Sequence, residues 1–153
     1  MKVENKLKEL GLSLPEDASP EGFYKPYKRS GNLIFVAGQT CSLNGKCQVT
    51  GVVGEDLSIE DGRKSAQISI LRALAVLKDA LGDLDKISQV VQMVSYVRCG
   101  GSFNNPALCI DAATELLYQL YGDDGLPARM ATGAAMLPDE SATEIMITVE
   151  VKE

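Results

Sequence analysis

Arg129 stands in the stretch LPARMATG, residues 126–133, among small and apolar neighbours. A planar guanidinium in such a setting can grip a carboxylate through two parallel hydrogen bonds. The same group serves equally well as half of an internal or inter-subunit ion pair. Glu144 opens the next strand-like run. If the two runs pair as antiparallel strands through a turn near Pro138, Arg129 comes toward Glu144. The two would then form either a bare ion pair or an anchor beside a water-activating base. Gly38-Gln39 ends an apolar run, and glycine there lets backbone approach a ligand closely; an ordinary strand-ending turn explains it as well. Tyr24 offers a pocket wall with a polar tip, or simply a half-buried hairpin aromatic.

The composition narrows what else is available. There is no histidine, which removes the commonest nitrogen ligand of zinc and any Ser-His or Cys-His nucleophile pair. No metal and no organic cofactor is expected. The four cysteines, Cys41, Cys47, Cys99 and Cys109, make no CxxC pair and read as small buried hydrophobes. Gly51 and Gly54 do not form a phosphate-binding GxGxxG. Chemistry must therefore run on carboxylates, Arg, Lys, Tyr, thiols and backbone.

These residues need a scaffold, and the pattern predicts one. Val3, Leu7 and Leu10 give a short amphipathic helix over 3–10, stopped by Gly11. Pro15, Pro20 and Gly22 mark an extended linker. Runs at about 23–29 and 32–38 flank Ser30-Gly31-Asn32 and read as a hairpin. Its second strand is apolar on both faces and needs cover on both. Residues 41–54 read as a loop with one short strand. Ser58, with Asp61 three residues later, opens the strongest helix, whose stripe is Ile70, Leu74, Leu77 and Leu81 before Gly82. Residues 87–97 are rich in β-branched types and read as a central strand. Asn105-Pro106 starts a second helix with Ile110, Ala113, Leu117 and Leu120 on one face, ending at Gly122. Strands at about 129–136 and 144–151 follow, and Ile145, Ile147, Val149 and Val151 share one face of the last.

The order ββ(β)αβαββ predicts an α+β fold: one mixed sheet with two helices that cover only one face. The other face keeps Met146 and further apolar groups, and a symmetric homo-oligomer is the economical cover. All 153 residues read as one domain, with 1–22 as an N-terminal helix and linker extension. No apolar run is long enough for a bilayer and no signal-peptide core is present, so a cytoplasmic protein without membrane contact is expected. The net charge of −6 and scattered basic residues argue against nucleic acid. Only Lys25, Lys28 and Arg29 cluster, beside Tyr24 and Tyr27, and an exposed strand edge accounts for them.

Three segments taken together resemble the RidA-like (YjgF) family: GNLIFVAGQT at 31–40, GDLDKISQVVQMVSYV at 82–97, and PARMATGAAMLP with EIMITVEV. Relatives have also been called perchloric-acid-soluble translation inhibitors or L-PSP endoribonucleases. The resemblance spans about residues 23–152. The leading helix, LPEDASP and GVVGEDLSIEDG look like a longer bacterial subgroup. It implies a chorismate-mutase-like fold and a homotrimer with ligand clefts between subunits. It further implies that Arg129 holds a substrate carboxylate and Glu144 positions or activates water. Tyr24 stands at a pocket tyrosine, and Gly38 lies in the strand end lining the cleft. The chain departs from many deaminase members at Ala37, which replaces a serine, at Ala131, which replaces a cysteine, and at Asp111, which replaces an asparagine.

The function expected from this is hydrolytic deamination of reactive enamines or imines of the 2-aminoacrylate type, giving 2-keto acids and ammonia. The alternative is a non-catalytic trimer that binds a small carboxylate for regulation. An endoribonuclease or translation inhibitor fits poorly with an acidic chain that lacks histidine.

Overall fold

A computed structural model describes residues 1–17 and 19–153. Helix α1, Lys2–Glu9, buries Val3 and Leu7 and ends at Leu10. Strands β1 (Tyr27–Ser30) and β2 (Leu33–Val36) form the expected hairpin, with Ser30 opposite Leu33 and Gly31 at φ 59° in the turn. The first strand is shorter than the sequence pattern suggests, and Tyr24 precedes it. Strand β3 (Gln39–Thr40) is followed by a small hairpin of β4 (Ser42–Leu43) and β5 (Lys46–Cys47), two strands where one was expected.

Helix α2, Ile59–Leu81, begins at Ser58 with a capping box. The Ser58 hydroxyl accepts from Asp61 N–H, and the Asp61 carboxylate accepts from Ser58 N–H. Gly82 closes it at φ 76°, a left-handed conformation that glycine adopts without strain. Strand β6 (Ile87–Arg98) runs to the second long helix, α3 (Ala107–Tyr121), and then come β7 (Ala128–Ala134) and β8 (Thr143–Val151). Gly62 lets α2 approach α3 closely: a Cβ there would lie 2.5 Å from the Cys109 sulfur.

The sheet order is β1-β2-β8-β6-β7, with β3 continuing alongside β8. All pairs are antiparallel except β6–β7, so the sheet is mixed as predicted. One face is sealed by α2 and α3. Ile70, Leu74, Leu77, Ile110 and Leu117 meet Met93, Val97, Ile145, Ile147 and Val149, all essentially inaccessible. At about 25 cal/mol per Å² of apolar area removed from water, this face supplies most of the driving force for folding. The other face has no helix. Across it Met146, Val94 and Met130 lie in one row, and Phe35 stands nearby; Met146 and Phe35 are 43% and 46% exposed.

One expectation is overturned. β7 and β8 do not pair with each other, because β6 lies between them, parallel to β7 and antiparallel to β8. The connection through Leu137-Pro138-Asp139 crosses one end of β6 instead of making a tight turn. A run of two strand-like patterns with a proline between them cannot distinguish the two arrangements.

Candidate active site

The alternation of β8 turns Thr143, Ile145 and Ile147 toward the helices and Glu144 away from them. Glu144 lies opposite Tyr96 of β6 and Thr40 of β3. Between β2 and β3 the chain breaks step at Ala37-Gly38, and Gly38 comes up against the Glu144 carboxyl. A Cβ at position 38 would sit 3.3 Å from it. Space rather than dihedral angle favours glycine there, since a larger residue would push the Glu144 side chain aside.

A cavity of about 320 Å³ opens at this point. Tyr24, Gly38 and Glu144 line it, so three of the four residues singled out from sequence come together. Tyr24 is placed by the 20–26 segment, its ring packed on Gly22. Among the described residues the Glu144 carboxylate accepts no hydrogen bond and has no ion-pair partner. Burial alone pushes its carboxyl above the ordinary carboxylate range. A carboxyl that holds its proton more tightly than usual, beside open space, is suited to shuttling a proton to and from a bound molecule.

Arg129 is elsewhere. It pairs with Met93 of β6, a helix-facing position, and its guanidinium reaches α3. There Nη1 lies 2.8 Å from Asp111 Oδ1 and donates to Thr114 Oγ1 at 3.1 Å. β7 is an edge strand with an open backbone, but the Arg129 side chain is only 23% accessible. The expectation that a β7–β8 hairpin brings Arg129 beside Glu144 therefore fails within one chain. The substitution noted at Asp111 gives this arginine an acidic partner on its own subunit.

The cavity also contains a residue that the sequence reading missed. Arg72 of α2 is 6% exposed and lines the same wall. Its Nε donates to Gln39 Oε1 at 3.1 Å and its Nη1 to the Ser42 carbonyl at 2.7 Å. No carboxylate lies within ion-pair distance among the described residues. The signal was present: Arg72 interrupts the apolar run Ile70-Leu71-Arg72-Ala73-Leu74, where a charge on a buried helix face needs a reason. Asp139 also lines the cavity, in left-handed backbone at φ 55°, followed by Glu140 at φ 59°. Two consecutive non-glycine residues in that region strain the connection between β7 and β8 at the mouth of the cavity.

A half-covered mixed sheet of this order, with two helices on one face, is the chorismate-mutase-like α+β fold. Residues 4–151 match the family model described as "YjgF/chorismate mutase-like, putative endoribonuclease", and the chain belongs to that family. Protein TCP17 of Trypanosoma cruzi is 33% identical over 98% of this chain and 94% of its own. Among solved structures, Atu1372 of Agrobacterium tumefaciens shares 37% identity, with 98% and 92% coverage and a TM-score of 0.91. A Shewanella oneidensis protein with the same endoribonuclease designation shares 29%, with 99% and 100% coverage and a TM-score of 0.94. RidA from an Antarctic Psychrobacter has the same fold at 18% identity, 90% and 94% coverage and a TM-score of 0.61. Among the described residues no helix is long and apolar enough to cross a membrane.

Proposed function

We propose that this protein hydrolyses small enamines or imines carrying a carboxylate, of the 2-aminoacrylate class, to 2-keto acids and ammonia. The observation that carries the reading is Glu144, a carboxyl with no partner among the described residues, its proton affinity raised by burial, facing a small cavity beside Gly38 and Tyr24. The enamine first takes a proton on its terminal carbon and becomes the imine. Water then adds to the imine carbon, giving one proton to Glu144 while the nitrogen gains another. The resulting carbinolamine expels ammonia as its hydroxyl proton leaves, and the C=O bond of the keto acid forms. Such intermediates hydrolyse slowly unaided, so orientation and acid–base help are enough to matter.

The substrate carboxylate needs a cation, and Arg129 is the arginine we assign to it. It stands on the edge strand, on the far side of the sheet from Glu144, so a second copy must supply it. A homotrimer that covers the Met146–Val94–Met130 row would bring the edge of one subunit to the cavity of the next. A trimer that binds small carboxylates without turnover is the second reading, supported by the internal Asp111 partner, which competes with a ligand for Arg129.

Ammonia release from freshly generated 2-aminoacrylate, measured for wild type, Glu144→Gln and Arg129→Lys, tests the proposal. Acceleration over the buffer rate by wild type alone is the expected result. No acceleration by wild type, with keto-acid binding intact, would leave the binding reading in its place.

A further inference from the structure

Cys41 and Cys47 read from sequence as unrelated buried hydrophobes, but the small β4–β5 hairpin brings their sulfurs to 3.4 Å. Both thiols converge on one acceptor, the Val49 carbonyl, at 3.3 Å and 3.6 Å. Cys41 is inaccessible and firmly held: its N–H donates to Ser141 Oγ at 3.1 Å and its carbonyl accepts from Gln48 N–H at 3.0 Å. Cys47 sits on the outer strand of the hairpin and is partly open to solvent. Neither Cys99 nor Cys109 has a sulfur partner among the described residues, and burial pushes the Cys109 thiol up to about 11.

We propose that Cys41 and Cys47 form a redox-active dithiol that reacts with small disulfides and closes to an intramolecular disulfide. The division of roles follows from exposure and not from acidity: burial and the adjacent Cys41 thiol hold the Cys47 thiol above its ordinary value, but of the two it is Cys47 that an incoming disulfide can reach. The Cys47 thiolate attacks one sulfur of the incoming disulfide, forming a mixed disulfide and releasing one small thiol. Cys41, already in contact, then attacks the Cys47 sulfur and releases the second. Two protons and two electrons leave the protein, and the incoming disulfide is reduced to two thiols. Closing from contact to a bond of about 2.05 Å requires a movement of roughly 1.3 Å. Because Cys41 is pinned to Ser141, the movement falls on Cys47 and on the Asn44-Gly45 turn between β4 and β5, where Asn44 is already in left-handed backbone at φ 52°. The pair lies one residue from Thr40, which lines the cavity and pairs with Glu144.

Reduced full-length protein is incubated with glutathione disulfide, and its intact mass and peptide map are read. Wild type should lose two hydrogens, carry no glutathione at this pair, and yield a Cys41–Cys47 linked peptide. Its thermal midpoint should rise by roughly 5 °C, because a short loop is tied in the unfolded chain. Cys41→Ser should stop at a single glutathione on Cys47, and Cys47→Ser should leave Cys41 unmodified. Cys41→Ala serves as a second variant if the serine unfolds the core, as the thermal midpoint would show. Wild type that retains glutathione on Cys47, or that leaves Cys47 unreacted while Cys99 is modified, overturns the proposal.

Discussion

Arg129 and Glu144 lie on opposite faces of one sheet, three positions apart in the register of β6: Met93 pairs with the first and Tyr96 with the second. Three residues of rise and two strand spacings put their Cα atoms about 14 Å apart. No side-chain rotation brings them to one small ligand. If both serve one reaction, they do so from two subunits, and a mixing experiment decides it. Arg129→Ala and Glu144→Gln should each be inactive alone. Co-assembled from equal amounts, about a quarter of the interfaces recover one intact arginine and one intact glutamate. Ammonia release should return to about that fraction of wild type, and continued inactivity of verified mixed oligomers would place the two residues in separate functions.

The oligomer itself has a direct measurement. The row of Met146, half-buried Val94 and Met130, with Phe35 beside it, is continuous with an open strand edge at β7. Sedimentation equilibrium at micromolar concentration should give three times the 16.4 kDa chain mass. Met146→Lys, which puts a charge on the centre of that face, should shift the protein toward monomer.

Replacing Arg129 by Lys keeps the charge and loses the planar two-point grip. The partly exposed pair with Asp111 is worth about 0.5 kcal/mol to stability, so the fold should barely notice. Keto-acid affinity should fall far more: losing a hydrogen-bonded charge partner costs about 2–5 kcal/mol, or roughly 30- to 5,000-fold. Thermal midpoint, oligomer mass and affinity are measured on the same variant. A protein that loses its assembly instead would show that Arg129 braces β7 against α3.

Glu144 makes a prediction about pH. Burial holds its folded-state pKa above the unfolded value, so the folded protein binds the proton more tightly. Below about pH 4, the ordinary carboxylate value, the group is protonated in both states and has no effect. Above the folded pKa the ionised, desolvated carboxylate weakens the fold. Glu144→Gln should therefore raise the thermal midpoint at pH 7, and the gain should vanish as pH falls through the carboxylate range. A variant less stable than wild type at neutral pH would mean that Glu144 has a stabilising partner.

Much of this architecture was legible because periodicity and end signals agree with each other. Ser58, Asp61 and Gly82 bound α2 in the sequence as they do in the fold, and the alternation of 145–151 gives the buried face of β8 residue by residue. What was not legible depends on pairing between distant segments. Nothing local in LPARMATGAAMLPDESATE says that β6 inserts between β7 and β8, yet that insertion separates Arg129 from Glu144. The Cys41–Cys47 contact is hidden for a local reason: it depends on a hairpin of two-residue strands where one short strand was expected. Gly38 and Glu144 could be singled out because each sits at the end of an element that the pattern had already located, whereas Tyr24, which precedes β1, was marked as a pocket residue by the family resemblance.

Arg72 provides a test of how a charge is tolerated under the sheet. Its guanidinium is buried with no carboxylate partner among the described residues, and it holds α2 to β3 and β4 through the Gln39 amide oxygen and the Ser42 carbonyl. Arg72→Met fits the long side chain with an apolar one and removes the desolvated charge, which by itself favours the fold. Against that, two buried acceptors lose their donor, since Gln39 and Ser42 are 5% and 1% exposed. Each unsatisfied buried group costs about 1–3 kcal/mol, so the loss outweighs the gain. Urea unfolding of Arg72→Met should show a net destabilisation of about 1–3 kcal/mol with an unchanged m-value. Since Gln39 and Thr40 line the cavity, keto-acid affinity should fall with it. A variant as stable as wild type but weak in ligand binding would instead make Arg72 a ligand contact, its two internal hydrogen bonds serving to aim the guanidinium at the cavity.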